Sequence, residues 1–227
     1  MHALHDFVFG IYPYIALAVF LFGSAARFER SQYTWKSDSS QLLRRGQLRL
    51  GNNLFHIGVL FLFFGHLVGL LTPKAVYNAI GITAATKQMG AIVAGGLFGS
   101  MALVGLMLLV HRRLAEPRIR ATSSRMDIFI LLWILATLAL GLATIFVSIG
   151  HPDGSVMVQF GQWAQHIVTF RAGAAGHIAD VSGLYKLHIF FGLTVFLLFP
   201  FSRLVHIWSG FGAAAYLTRA YQIVRSR

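Results

Sequence analysis

Five apolar runs of about 20 residues each run through this sequence, at 5–26, 52–71, 88–111, 127–149 and 185–208. A helix of that length crosses the hydrocarbon core of a bilayer. In lipid only a helix or a closed barrel satisfies every backbone polar group, which leaves long unbroken apolar segments one regular solution. The predicted fold is therefore all-α: one integral membrane bundle of five transmembrane helices, a single domain over residues 1–227. Only 11% of the residues are charged and the mean hydropathy is +0.68, whereas a soluble domain carries about a quarter charged residues.

The net charge of +12 could suggest a nucleic-acid partner, but its distribution indicates topology instead. Arg27, Arg30, Lys36, Arg44, Arg45 and Arg49 fall in the first connection, and Arg112, Arg113, Arg118, Arg120 and Arg125 in the third. Arg203, Arg219, Arg225 and Arg227 follow in the last span and its tail. The opposite side has only Lys74, Lys87, Arg171 and Lys186. The positive-inside rule then puts the N-terminus outside and the C-terminus in the cytoplasm. The expected location is the inner, cytoplasmic membrane, as a multi-pass protein. No basic region precedes the first apolar run, so that span is expected to be retained rather than cleaved. Within the long outer connection, Val156–Phe170 is apolar enough for a short surface helix. The tail, 209–227, mixes aromatic and basic residues and suits a cytoplasmic partner or lipid headgroups.

The chain has no cysteine. That excludes a disulfide, a thiolate-held iron–sulfur cluster, a zinc ribbon and covalently attached haem. No Gly-rich phosphate loop is present either, so nucleotide chemistry has no support.

Spans two and five carry four histidines, His56, His66, His188 and His206, and no carboxylate that could partner them. An ionisable side chain at membrane depth marks a functional site by default. Neutral imidazoles on two helices suggest two bis-histidine haems. The two spans run antiparallel, so depth pairs His56 with His206 on the inner side and His66 with His188 on the outer side. Ten residues separate the first two histidines, about 15 Å along a helix, and eighteen residues return His188 and His206 to one helical face. Gly58, Gly65, Gly69 and Gly192 could leave flat places for a porphyrin, or could bring bare helices together, as Gly95 and Gly99 on span three would. The remaining histidines, His2, His5, His111, His151, His166 and His177, fall at span ends or in connections. Of these, His166 and His177 could touch a substrate or relay a proton.

Several stretches resemble the gamma subunit of respiratory nitrate reductase. They include Ile11-Tyr12-Pro13-Tyr14, Gln32-Tyr33-Thr34-Trp35, Asn53-Leu54-Phe55-His56-Ile57-Gly58, Gly65-His66, Leu71-Thr72-Pro73, Arg118-Ile119-Arg120-Ala121-Thr122, Val168-Thr169-Phe170, Leu197–Trp208 and Tyr216-Leu217-Thr218-Arg219. The likeness covers nearly the whole chain in order. It is weakest in 1–8, 74–86, 150–184 and 210–215.

The resemblance implies a di-haem cytochrome b that oxidises membrane quinol near the outer haem and releases protons outside. Electrons would pass to a cytoplasmic iron–sulfur (beta) subunit and a molybdenum (alpha) subunit that reduces nitrate to nitrite. It assigns two non-covalent haems b to His56/His206 and His66/His188. It also places Lys87, at the outer start of span three, in the quinol site, and His66 could contribute there. Arg112, Arg113 and Arg203, near the inner face, could pair haem propionates, since Arg suits carboxylates. Alternatives remain: the same subunit type serving a sulfur-compound or heterodisulfide reductase, a stand-alone ferric reductase, or a haem-free anchor or transporter.

Overall fold

Three of the long helices in this chain begin at capping side chains, and all but the last run on past the apolar runs that prompted them. The computed structural model describes residues 2–31, 34–35 and 43–209; the expected docking tail beyond Ser209 lies outside the described residues. Helix α1 spans Ala3–Ser31, α2 Arg45–Leu71, α3 Lys74–Ala79, α4 Ala84–Ala115, α5 Pro117–Ala121, α6 Arg125–Ile149, α7 Ser155–Val168 and α8 Gly183–Leu198. Five segments are long and apolar enough to cross a membrane: α1, α2, α4, α6 and Gly183–Phe201, which is α8 with the turn that continues it. The Thr83 side chain accepts from the Thr86 amide to start α4. Ser124 and Asp127 form a reciprocal capping box at α6, satisfying two of the donors a helix start leaves open. Phe22 and Phe146 are 75% and 80% exposed, as suits side chains facing lipid.

The membrane helices form an arc in the spatial order α2–α4–α6–α8–α1. Small residues set the α2–α4 contact: a Cβ on Gly58 would lie 2.6 Å from the Phe98 carbonyl, and one on Gly105 would lie 2.4 Å from the Phe55 nitrogen. Gly58 therefore serves backbone-to-backbone packing and not a flat place for a porphyrin. Gly99 likewise receives Leu142 of α6, whereas Gly65, Gly69, Gly95 and Gly192 have no neighbour within 4 Å of such a Cβ. Between α1 and α8, Tyr12 Oη and Thr194 Oγ1 share a hydrogen bond of 2.8 Å.

Two prolines shape the helices that flank the site. Pro13 lacks the N–H that the Phe9 carbonyl would normally receive. The chain there makes a wide turn over Phe7–Ile11, and the Trp163 indole donates to Phe9 O at 2.9 Å. Pro200 ends the regular part of the last span. It sits in a tight turn, Phe199–Phe201, followed by an extended Ser202 and a 3-10 helix, Arg203–Trp208. The expected single span 185–208 is thus broken, and His188 and His206 do not share one helix face. Their positions result from the break. Arg27 on α1 steadies it, its guanidinium donating to the carbonyls of Pro200 and Ser202 at 2.8 Å each.

Helix α7 is more than a surface helix. Its Trp163, Ala164 and Ile167 are buried with Phe9, Ile178 and Tyr185 in a core that closes one end of the bundle. Gly154, with φ +76°, precedes it, and a Cβ there would strike the Ala84 backbone at 2.4 Å. Only glycine lets the connection approach α4 so closely in that conformation.

Candidate functional site

The four span histidines meet in two pairs between α2 and the last span. The His56 and His206 rings have centroids 6.2 Å apart, and the His66 and His188 rings 6.1 Å apart. An imidazole nitrogen lies about 2 Å from a metal it binds and about 1 Å from its ring centre, so two rings flanking one iron have centroids about 6 Å apart. Both pairs fit that spacing.

The second ring nitrogens agree. His56 Nδ1 donates to Asn52 O at 2.9 Å, His66 Nδ1 to Leu62 O at 2.7 Å and His206 Nδ1 to Arg203 O at 2.7 Å. His188 Nδ1 donates to Thr137 O on α6 at 3.1 Å. A carbonyl can only accept, so each Nδ1 must carry the proton and each Nε2 must present a lone pair. That is the tautomer a metal-ligating histidine adopts, with its outer nitrogen held by a backbone oxygen. Among the described residues no group of three or more His, Cys, Asp or Glu could hold a metal ion. The four span histidines meet two by two, an arrangement that suits a haem.

At the end of the bundle holding the His56–His206 pair, Asp127 lies 3.8 Å from both Arg113 and Arg203. Arg113 also donates to Ser123 Oγ at 2.8 Å. Arg112 is buried, its guanidinium donating to the Leu43 carbonyl at 2.7 Å. Sequence reasoning chose these arginines but missed Asp127, whose place at the start of an apolar run made it look like an ordinary cap. Arg203 belongs to the site twice, since its carbonyl orients His206 while its side chain reaches Asp127.

At the opposite end, Lys87 is half-buried in the first turns of α4, its ammonium 4.3 Å over the ring of buried Tyr77. Tyr77 is a further residue that sequence reasoning did not single out. Burial raises its phenol pKa above the ordinary 10.0. His66 has its outer nitrogen committed to Leu62, so a quinol at that atom would compete with a backbone carbonyl. His166 and His177 lie together, Nε2 to Nε2 3.3 Å. Burial, then the neighbouring His166, lowers the pKa of His177. Gln165, beside them, donates to Leu70 O, one turn beyond His66 on α2. His5 pairs with the Ala175 carbonyl, and Gln47 contacts His111; neither histidine joins a pair.

A family model described as the nitrate reductase gamma subunit matches residues 5–227. The chain is 50% identical over 227 residues to the respiratory nitrate reductase 1 gamma chain of Escherichia coli (strain K12), covering 100% of both chains. It is 48% identical over 224 residues to the respiratory nitrate reductase 2 gamma chain of the same strain, covering 99% of this chain and 98% of that one. The nitrate reductase gamma chain of Bacillus subtilis (strain 168) is 40% identical over 220 residues, 97% of each chain.

Proposed function

The chain belongs to the nitrate reductase gamma subunit family, and from that membership we propose that it is the quinol-oxidising cytochrome b of such a complex. His56 and His206 would hold one haem b without a covalent bond, and His66 and His188 would hold another. When bound, the haems supply one-electron redox chemistry at two depths of the membrane. The observation carrying this reading is the pair of 6 Å histidine contacts, with all four Nδ1 atoms bonded to carbonyls.

The end bearing α7 is the outer face, in the inner membrane of the cell, and the end bearing Asp127 faces the cytoplasm. Lys87 hydrogen-bonds a quinol oxygen on the outer side, and the quinol's protons leave on that side. Electrons pass inward to a cytoplasmic iron–sulfur subunit and a molybdenum subunit, where nitrate is reduced. Arg112, Arg113 and Arg203 are the candidates for propionate contact, the last two sharing their charge with Asp127.

The test is a reduced-minus-oxidised spectrum with haem quantitation on the purified complex, followed by addition of a quinol. Two b haems in this subunit, reduced by quinol, support the reading; one haem or none breaks the four-histidine assignment.

A further inference from the structure

Three of the four histidines orient themselves through their own turn of chain, His56 and His66 through carbonyls four residues back and His206 through one three residues back. His188 does not. Its Nδ1 donates to Thr137 on α6, 51 residues away in sequence. One turn further along α6, a Cβ on Gly141 would lie 2.9 Å from His188 Cε1 and 3.4 Å from each of its ring nitrogens. The imidazole therefore rests on bare backbone, with its outer nitrogen hydrogen-bonded to the same helix.

Helix α6 is fixed against α8 on both sides of this contact. Trp133 Nε1 donates to Phe191 O at 3.1 Å, its ring stacked on Phe191 at 4.2 Å and 8°. Ser148 Oγ and Tyr185 Oη share a hydrogen bond of 2.7 Å. The Thr137 hydroxyl is occupied with Trp133 O at 2.8 Å, which leaves the backbone carbonyl as the group that reaches His188.

We propose that Gly141, with the Thr137 carbonyl, is the positioning element for His188, so that a helix carrying no ligand sets the rotation of the outer haem's axial imidazole. This rests on the reading of His66 and His188 as an axial pair. Ring orientation and the bond at the outer nitrogen tune a metal-ligating histidine, and here both come from tertiary packing instead of the local turn.

The test uses Gly141→Ala in the intact complex, with haem quantitation, redox titration and low-temperature EPR of the ferric haems. The expected result is a shifted g-value and midpoint potential for the outer haem, or its loss, with the inner haem unchanged. Gly96→Ala, whose added methyl would meet only Ile145 at 3.7 Å, should leave both haems as they are. Outer-haem signals unaltered in Gly141→Ala would overturn the proposal. Should that variant fail to assemble, Trp133→Phe decides. It removes the donor to Phe191 while keeping the stacked ring, and a shift confined to the outer haem supports the role of α6, whereas an unchanged spectrum refutes it. His188→Ala is run alongside. Retention of both haems there would refute the axial assignment itself and not the part played by α6.

Discussion

An imidazole held at Nδ1 by a carbonyl can rotate little and can accept a metal only at Nε2. That makes each span histidine a single-purpose group, and removal of one should cost its own site alone. Replacing His66 with Gln should delete the outer haem, lowering the b-type absorbance to about half and stopping quinol oxidation while the inner haem stays; both haems persisting would break the pairing. Lys87 calls for a different measurement. A charged hydrogen bond contributes about 2 kcal/mol, so Lys87→Ala should raise the quinol KM by more than tenfold with both haems retained. Unaltered quinol kinetics would move the site away from the Tyr77 ring. The span histidines were legible because few other polar side chains lie at that depth. Asp127, Thr137 and Gly141 were not, because each acts on a neighbour far away in sequence, and Tyr77 was not, because its contact with Lys87 depends on the turn between α3 and α4; each resembles an ordinary core, cap or helix residue in its own segment.

At the scale of elements, hydropathy reports that a segment can enter lipid and says nothing about whether it stays regular. The stretch Leu197–Trp208 is apolar but for Ser202, Arg203 and His206, so hydropathy alone carried the span straight through the break at Pro200. Proline within membrane segments is tolerated because neighbours satisfy the backbone it frees, and here the neighbour is Arg27. The glycines of α2 were ambiguous for a related reason: spacing alone cannot tell which of Gly58 and Gly65 meets another backbone, and only the first does. Replacing Arg27 with Leu leaves the Pro200 and Ser202 carbonyls short of their donor and should destabilise the broken segment by about 2 kcal/mol. His206 lies just beyond those carbonyls and His188 well before them. Mild heating of the detergent-solubilised complex should therefore release the inner haem sooner in the variant, with the outer haem lost at the wild-type rate. Equal loss rates for both haems would detach Arg27 from the placement of His206.

Across the whole molecule, the two ends differ in kind. One carries the packed layer of α7 and Tyr185 over the His66–His188 pair, with Lys87 in the first turns of α4. The other carries Arg113, Arg203 and Asp127 beside the His56–His206 pair. On the proposed function, the direction of electron flow depends on which end faces out. Charge asymmetry between the connections gives an answer, since lysines and arginines near span ends resist translocation. The absence of native cysteine allows that answer to be tested with single introduced thiols. Asp153 lies in the exposed connection before α7, and Thr122 follows α5 at the opposite end. Asp153→Cys should react with a membrane-impermeant maleimide applied from the outer side, whereas Thr122→Cys should react only after the membrane is opened. The reverse pattern would turn the molecule over, placing quinol oxidation on the cytoplasmic side and its protons with it, and would leave the arginine-rich end facing away from the subunits it is proposed to serve.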